Sequence, residues 1–167
     1  MKKNRFILNP PLRRVFLLKM HKEEIYNYCV ANLLEKLKGF EKRIQGLSEA
    51  LNSESKSSAG DKHETGRAMI QLEREKLGIQ LAETETNYRK ILTLKNNHSS
   101  VIVGVGSLVI TNKANYYIAI SIGECKLEDE RCYCISPQSP IGKLLLGKKL
   151  GERIDFNNNI STVLSIF

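Results

Sequence analysis

Two apolar stripes at helical spacing, joined by one short polar stretch, constrain this chain more than any other feature. The first is Ile25, Cys29, Leu33, Leu37, Phe40, Ile44, Leu47 and Leu51, with every step three or four residues. Such spacing lines one face of an α-helix of about 30 residues, about 45 Å long. Glu35, Lys36, Lys38, Glu41, Lys42 and Arg43 stand between the stripe residues, so the other faces are wet. The pattern stops at Asn52. NSESKSSAG is polar and rich in small turn residues. A second helical pattern runs from Asp61 to about Lys95, with Ile70, Leu77, Leu81, Tyr88 and Ile91 or Leu92 as its stripe and Met69, Leu72 and Ile79 beside it. One long amphipathic helix cannot hide its stripe alone. Two joined by a short loop hide theirs against each other, so the spacing predicts an antiparallel coiled-coil hairpin with its tip at residues 52–64. Gly78 is a weak helix-interior position.

Near Asn96 the pattern changes. VIVGVGSLVIT (101–111), ANYYIAISIG (114–123), CYCIS (132–136), ERIDF (152–156) and ISTVLSIF (160–167) read as strands, with Asn112-Lys113 and Asn157-Asn158-Asn159 as turns. CKLEDER reads as a polar connection. Ser139 is positioned to cap a short helix with Pro140 at its first position, and Gly147 to end it. The expected fold class is therefore α+β: a helical hairpin, then a small, mostly antiparallel sheet with one short helix.

Charge is concentrated at the N-terminus. The net charge is +8, but residues 1–22 alone hold Lys2, Lys3, Arg5, Arg13, Arg14, Lys19 and Lys22 with no acid. The remainder is nearly balanced, which argues against a whole-surface nucleic-acid binder. Pro10-Pro11 and Arg13-Arg14 interrupt the opening apolar stretch, which disfavours a signal peptide, and no run has the length of a membrane span. Residues 1–21 are expected to be a basic, disordered arm, with Met20 as the start of the functional chain; a phosphate- or lipid-binding arm is the alternative. The domains expected after it are 22–96 and 97–167. Cys29, Cys125, Cys132 and Cys134 lack CxxC spacing, so free thiols in a reducing cytoplasm are expected rather than structural zinc; Cys132 and Cys134 share one strand face.

The tip sequence SSAGDKHETG places Asp61 and Glu64 three positions apart. Local physics explains them as a capping box, with Asp61 accepting a backbone N–H and Glu64 reaching back, both favoured at the positive end of a helix. The same carboxylates, carried at the end of a rod, are also suited to share a Mg²⁺ with a partner that supplies further ligands. Lys56, Lys62 and Arg67 are candidate phosphate or partner contacts, or ordinary surface. His63 is a lone tip histidine, solvated in the plain reading.

ISPQSPIGKLLLGKKLGERIDF (135–156) resembles the signature of the Gre transcript-cleavage factors of bacterial RNA polymerase, and VGVGSLVIT and the tip AGDKHETG resemble further parts of that family's pattern. The resemblance covers about residues 22–167. It implies an FKBP-like C-terminal domain that docks at the rim of the polymerase secondary channel, and a hairpin that enters the channel. Asp61 and Glu64 match the tip acids that help hold the polymerase's second Mg²⁺ while the polymerase cuts the 3′ end of backtracked nascent RNA. Ser139, Pro140, Ile141, Gly147 and Lys148 match the structural and docking signature. The implied protein is a cytoplasmic, monomeric, non-membrane elongation factor that is not an enzyme by itself and has no cofactor of its own, Mg²⁺ entering only in the polymerase complex. The tip departs from the family at Lys62, Thr65, Gly66, Arg67 and Ala68. A Gre-like regulator that occupies the channel without promoting cleavage, and a coiled-coil interaction protein, are the alternatives.

Overall fold

The structure, a computed structural model, describes the backbone of residues 10–54, 61–95, 101–127 and 130–167, and within these the side chains of all but 10–21, 54, 61–63, 127 and 130. Nine elements follow in order: α1 Pro10–Glu54, α2 Asp61–Leu92, β1 Leu108–Thr111, β2 Asn115–Ile118, β3 Gly123–Leu127, β4 Glu130–Ile135, α3 Pro140–Leu145, β5 Arg153–Phe156 and β6 Asn159–Ile166. They divide into two compact units. Val30–Lys90 is one; the helix ends up to Cys29 and from Ile91 onward, with the sheet, form the other.

The Val30–Lys90 unit is a pair of packed helices. Leu33 and Leu77 are buried, while Leu37, Phe40, Ile44, Leu47, Ile70, Leu81 and Tyr88 are half-buried, the gradation expected where two helices have only each other to cover a stripe. Met69, Leu72 and Ile79 lie outside the seam and are strongly exposed. The Arg43 guanidinium meets the Glu73 carboxylate at 3.0 Å. α1 begins well before Met20, the start that the apolar stripe suggested, so its backbone takes in residues 10–21 of the expected arm. Pro10 and Pro11 suit a helix's first turn, where a missing N–H costs nothing and φ is already set.

The other unit is built on a six-stranded sheet of order β3-β4-β2-β1-β6-β5. Four of its five pairings are antiparallel, in line with a mostly antiparallel sheet, and β2 and β4 run parallel. The chain leaves β2, lands one strand-width away as β3 and returns as β4 into the gap. β3 itself falls in the stretch read as a polar connection. As an edge strand it pairs on one side only, and Cys125 is buried between half-exposed Glu124 and exposed Lys126. The long first strand expected over 101–111 is shortened to β1, because residues 104–107 form a turn with Gly106 at φ 86°. The Asn112-Lys113 turn forms as expected, locked by Thr111 Oγ1, which accepts from the N–H groups of Lys113 and Ala114 at 3.2 and 3.0 Å. Asn157 and Asn158 both take positive φ, the geometry of a two-residue hairpin turn, which joins β5 to β6.

Each face of the sheet has its own packing. On one, Val109, Ile118, Val163 and Ile154 meet Ile141 and Leu145 of α3 and Val103. On the other, strand register aligns Tyr117 with Cys134, Asn115 with Cys132 and Cys132 with Cys125, all buried. That second face is covered at its β3–β4 end by α1: the Tyr28 hydroxyl donates to the Glu124 carbonyl at 3.3 Å, and Ile25, Tyr26 and Cys29 are buried beside it.

Candidate functional site

The two tip acids occupy the first turn of α2. Asp61 is its first helical residue, so the acids stand at the end where unpaired N–H groups leave partial positive charge. Glu64 is exposed, and Arg67, one turn further on, is exposed beside it. The Asp61, Lys62 and His63 side chains, and Lys56 within residues 55–60, lie outside the described residues, and with them the capping box and the Asp61 ligand role. Gly66 sits one turn inside α2, where a Cβ would meet nothing within 4 Å, so packing does not require a glycine there.

The segment 135–156 runs from the end of β4 through α3 to β5. Ser139 has extended backbone angles, and its Oγ accepts from the Gly142 N–H at 3.1 Å while its hydroxyl donates to the Ser136 carbonyl at 2.7 Å. Pro140 opens α3, and Ile141 and Leu145, one turn apart, bury against the sheet. Gly142 lies so close beneath Ser136 that a Cβ would collide with the Ser136 carbonyl oxygen. Gly147 follows in the left-handed region at φ 79°, where glycine is favoured. Its N–H donates to the Val103 carbonyl at 2.9 Å, and the Val103 N–H returns to the Lys148 carbonyl at 2.8 Å. Lys148 Nζ lies 3.9 Å from Glu152, a half-exposed ion pair worth little in stability. Ser139, Pro140, Ile141 and Gly147 are thus brought together by the fold for structural reasons, and Lys148 contributes through its backbone.

The sequence reading missed one cluster. All four cysteines are buried free thiols: Cys125, Cys132 and Cys134 share one face of the sheet, and Cys29, about a hundred residues earlier, is buried on α1. Cys132 and Cys134 stand two apart on β4, Cys125 is the register partner of Cys132 on β3, and Cys29 comes from α1. The signal available was the alternation at Cys132 and Cys134; nothing in spacing linked it to Cys29. Donation from Cys132 and Cys29 draws the Cys134 thiol well below the ordinary thiol range, while the same contacts and burial push Cys29 and Cys132 upward. Burial pushes Cys125 up to about 11. Among the described residues no group of three or more His, Cys, Asp or Glu side chains is arranged to hold a metal ion, and no helix is long and apolar enough to cross a membrane.

No protein-family model matches the chain, and no curated protein matches it significantly.

Proposed function

We propose that this chain is a Gre-like transcription elongation factor that binds bacterial RNA polymerase through the secondary channel and stimulates cleavage of backtracked RNA. What carries the reading is the position of Asp61 and Glu64 in the first turn of α2, where a polar connection joins two packed helices. The sheet with α3 on one face supports reading the domain as a docking module of FKBP-like type, and the Ser139 cap and the left-handed Gly147 support a structural role for the Ser139–Lys148 segment.

In this reading the chain contributes position and charge, not a reaction of its own. A Mg²⁺ shared with the polymerase supplies a Lewis acid and an activated water at the RNA phosphate. Asp61 is the stronger ligand and Glu64 its helper. Arg67, exposed beside Glu64, and Lys56 and Lys62 contact phosphate or the acidic lining of the partner.

The test is a stalled, backtracked elongation complex with purified core polymerase. The intact chain should accelerate RNA 3′-end cleavage, and the Asp61→Asn, Glu64→Gln double variant should lose that acceleration while binding polymerase nearly as well. Asparagine and glutamine keep the size and hydrogen-bonding capacity of the acids but ligate metal poorly, so the change falls on charge and not on shape, and the retained polymerase affinity reports that the hairpin is intact. Binding accompanied by inhibition in both proteins would select the non-cleaving regulator. Absence of polymerase binding would overturn the proposal altogether.

A further inference from the structure

The two edges of the sheet end differently. At the β3 edge the chain supplies its own cover, since the Tyr28 hydroxyl of α1 donates to the Glu124 carbonyl. The β5 edge is open. The Val163 N–H donates to the Glu152 carbonyl at 2.9 Å, and the β5–β6 register continues in step through Ile154 with Ser161 to Phe156 with Asn159. Main-chain groups alternate sides along an antiparallel pair, so Glu152, Ile154 and Phe156 turn theirs toward β6, and Arg153 and Asp155 turn theirs outward. Among the described residues nothing bonds to those outward groups. Such a row of free donors and acceptors is a template for another strand.

We propose that β5 is a self-association edge, which pairs antiparallel with β5 of a second copy about a two-fold axis at Ile154 and joins the two six-stranded sheets into one. This register sets Arg153 opposite Asp155 of the partner subunit, and Asp155 opposite the partner's Arg153. These are the residues whose main-chain groups are free, so each pair exchanges both of its N–H···O bonds.

The charges select the partner. Arg153 and Asp155 are exposed on the same face of the strand, and among the described residues neither has an ion-pair partner within the chain. Under the two-fold each cation meets an anion directly across the strands, with Cβ atoms about 5 Å apart. A second copy running parallel would set like charges together, so the Arg-Ile-Asp order is complementary to itself only in the antiparallel sense, the one that closes a two-fold dimer. Ile160, 58% exposed, is the register neighbour of Asp155 on the same face and gives the arginine stem an apolar surface to lie on. Ile154 faces the other way, buried against the α3 side, so the edge pairs without disturbing the core. The inference makes no use of the polymerase reading, and it replaces the monomer that the family resemblance implies.

The experiment uses the full chain with dithiothreitol present, so that no disulfide contributes. Sedimentation velocity over a concentration series up to about 1 mM should show a dimer that dissociates on dilution. Arg153→Asp and Asp155→Arg each set like charges at both pairs, and each should weaken dimerisation by at least about ten-fold. Mixed in equal amounts, the two variants should recover a heterodimer, because each supplies the charges that the other lacks. In the unsubstituted protein, hydrogen exchange at the Arg153 and Asp155 amides should slow as concentration rises, while the Ile154 amide, already bonded to β6, stays the same. A chain that is monomeric throughout the series overturns the proposal. So does a dimer that survives both variants, or a mixture that stays monomeric. A dimer lost only in Ile79→Glu places the contact on the exposed outer face of α2 and likewise overturns it. The amide exchange decides the matter even if a variant fails to fold, and its result is independent of polymerase binding.

Discussion

Arg43 Nη2 lies 3.0 Å from Glu73 Oε1, and the two residues are equidistant along the chain from residue 58, inside the connection between α1 and α2. An ion pair with that symmetry is a register mark for an antiparallel hairpin. Both side chains are largely exposed, at 60% and 43%, so screening limits its worth. Arg43→Glu should lower stability by less than about 1 kcal/mol, and adding Glu73→Arg should recover most of the loss. A double-mutant cycle in urea at low salt measures it; no recovery in the double variant would place the helices in another register.

The glycines of the two units should respond in opposite directions to alanine. Gly46 lies in a helix interior, borders the notch formed by Arg43, Leu47, Glu73 and Leu77, and has open space where a Cβ would go. Gly46→Ala should stabilise by about 0.5–1 kcal/mol. Gly142→Ala drives a Cβ into the Ser136 carbonyl, a backbone atom that cannot swing aside, and should cost about 3 kcal/mol. Chemical denaturation of the two variants checks the difference in sign.

Ser139 satisfies an otherwise unpaired helix donor and anchors itself to Ser136 in the same step. Ser139→Ala should cost about 1 kcal/mol, and Ser139→Asp, which still caps, should retain most of the stability. A loss in the aspartate variant equal to that in alanine would assign the role to the Ser136 contact instead of the cap.

Alkaline pH should unfold the sheet unit before it harms the helices. Cys125 is raised by burial from the ordinary 9.0 to about 11, burial likewise raises Tyr117, and Cys29 and Cys132 are raised by their contacts with Cys134 and by burial. A group whose folded pKa is raised keeps its proton when the unfolded chain has lost it. Its contribution is whole below the unfolded value and falls away as pH rises toward the folded one. Each such group adds a slope of about 1.4 kcal/mol per pH unit. Cys134 shifts the other way, so its contribution is already complete by pH 9 and does not offset the decline. The urea midpoint should therefore fall between about pH 9 and pH 11, and fall less steeply in Cys125→Ser.

Much of the fold is legible in the residues themselves. The stripe from Ile25 to Leu51 marks a helix because side chains three and four apart share a face. Ser139-Pro140 and Gly147 mark the limits of α3 by cap chemistry and left-handed backbone, and the asparagine turn is likewise a local preference. β3 was illegible because a short edge strand whose buried Cys125 stands between the charged Glu124 and Lys126 reads like a polar connection. Gly106 shortened the first strand by a backbone turn that its β-branched neighbours concealed.

The sequence by itself determined the two long helices, α3 and the strands bounded by clear turns, since periodicity, caps and turns act through neighbours a few residues apart. Only the tertiary structure decided that β4 enters between β2 and β3 in parallel with β2, and that Tyr28 of α1 meets the Glu124 carbonyl of β3. A buried face records in its pattern that something must cover it. What covers it depends on contacts between residues about a hundred positions apart, which no local spacing encodes.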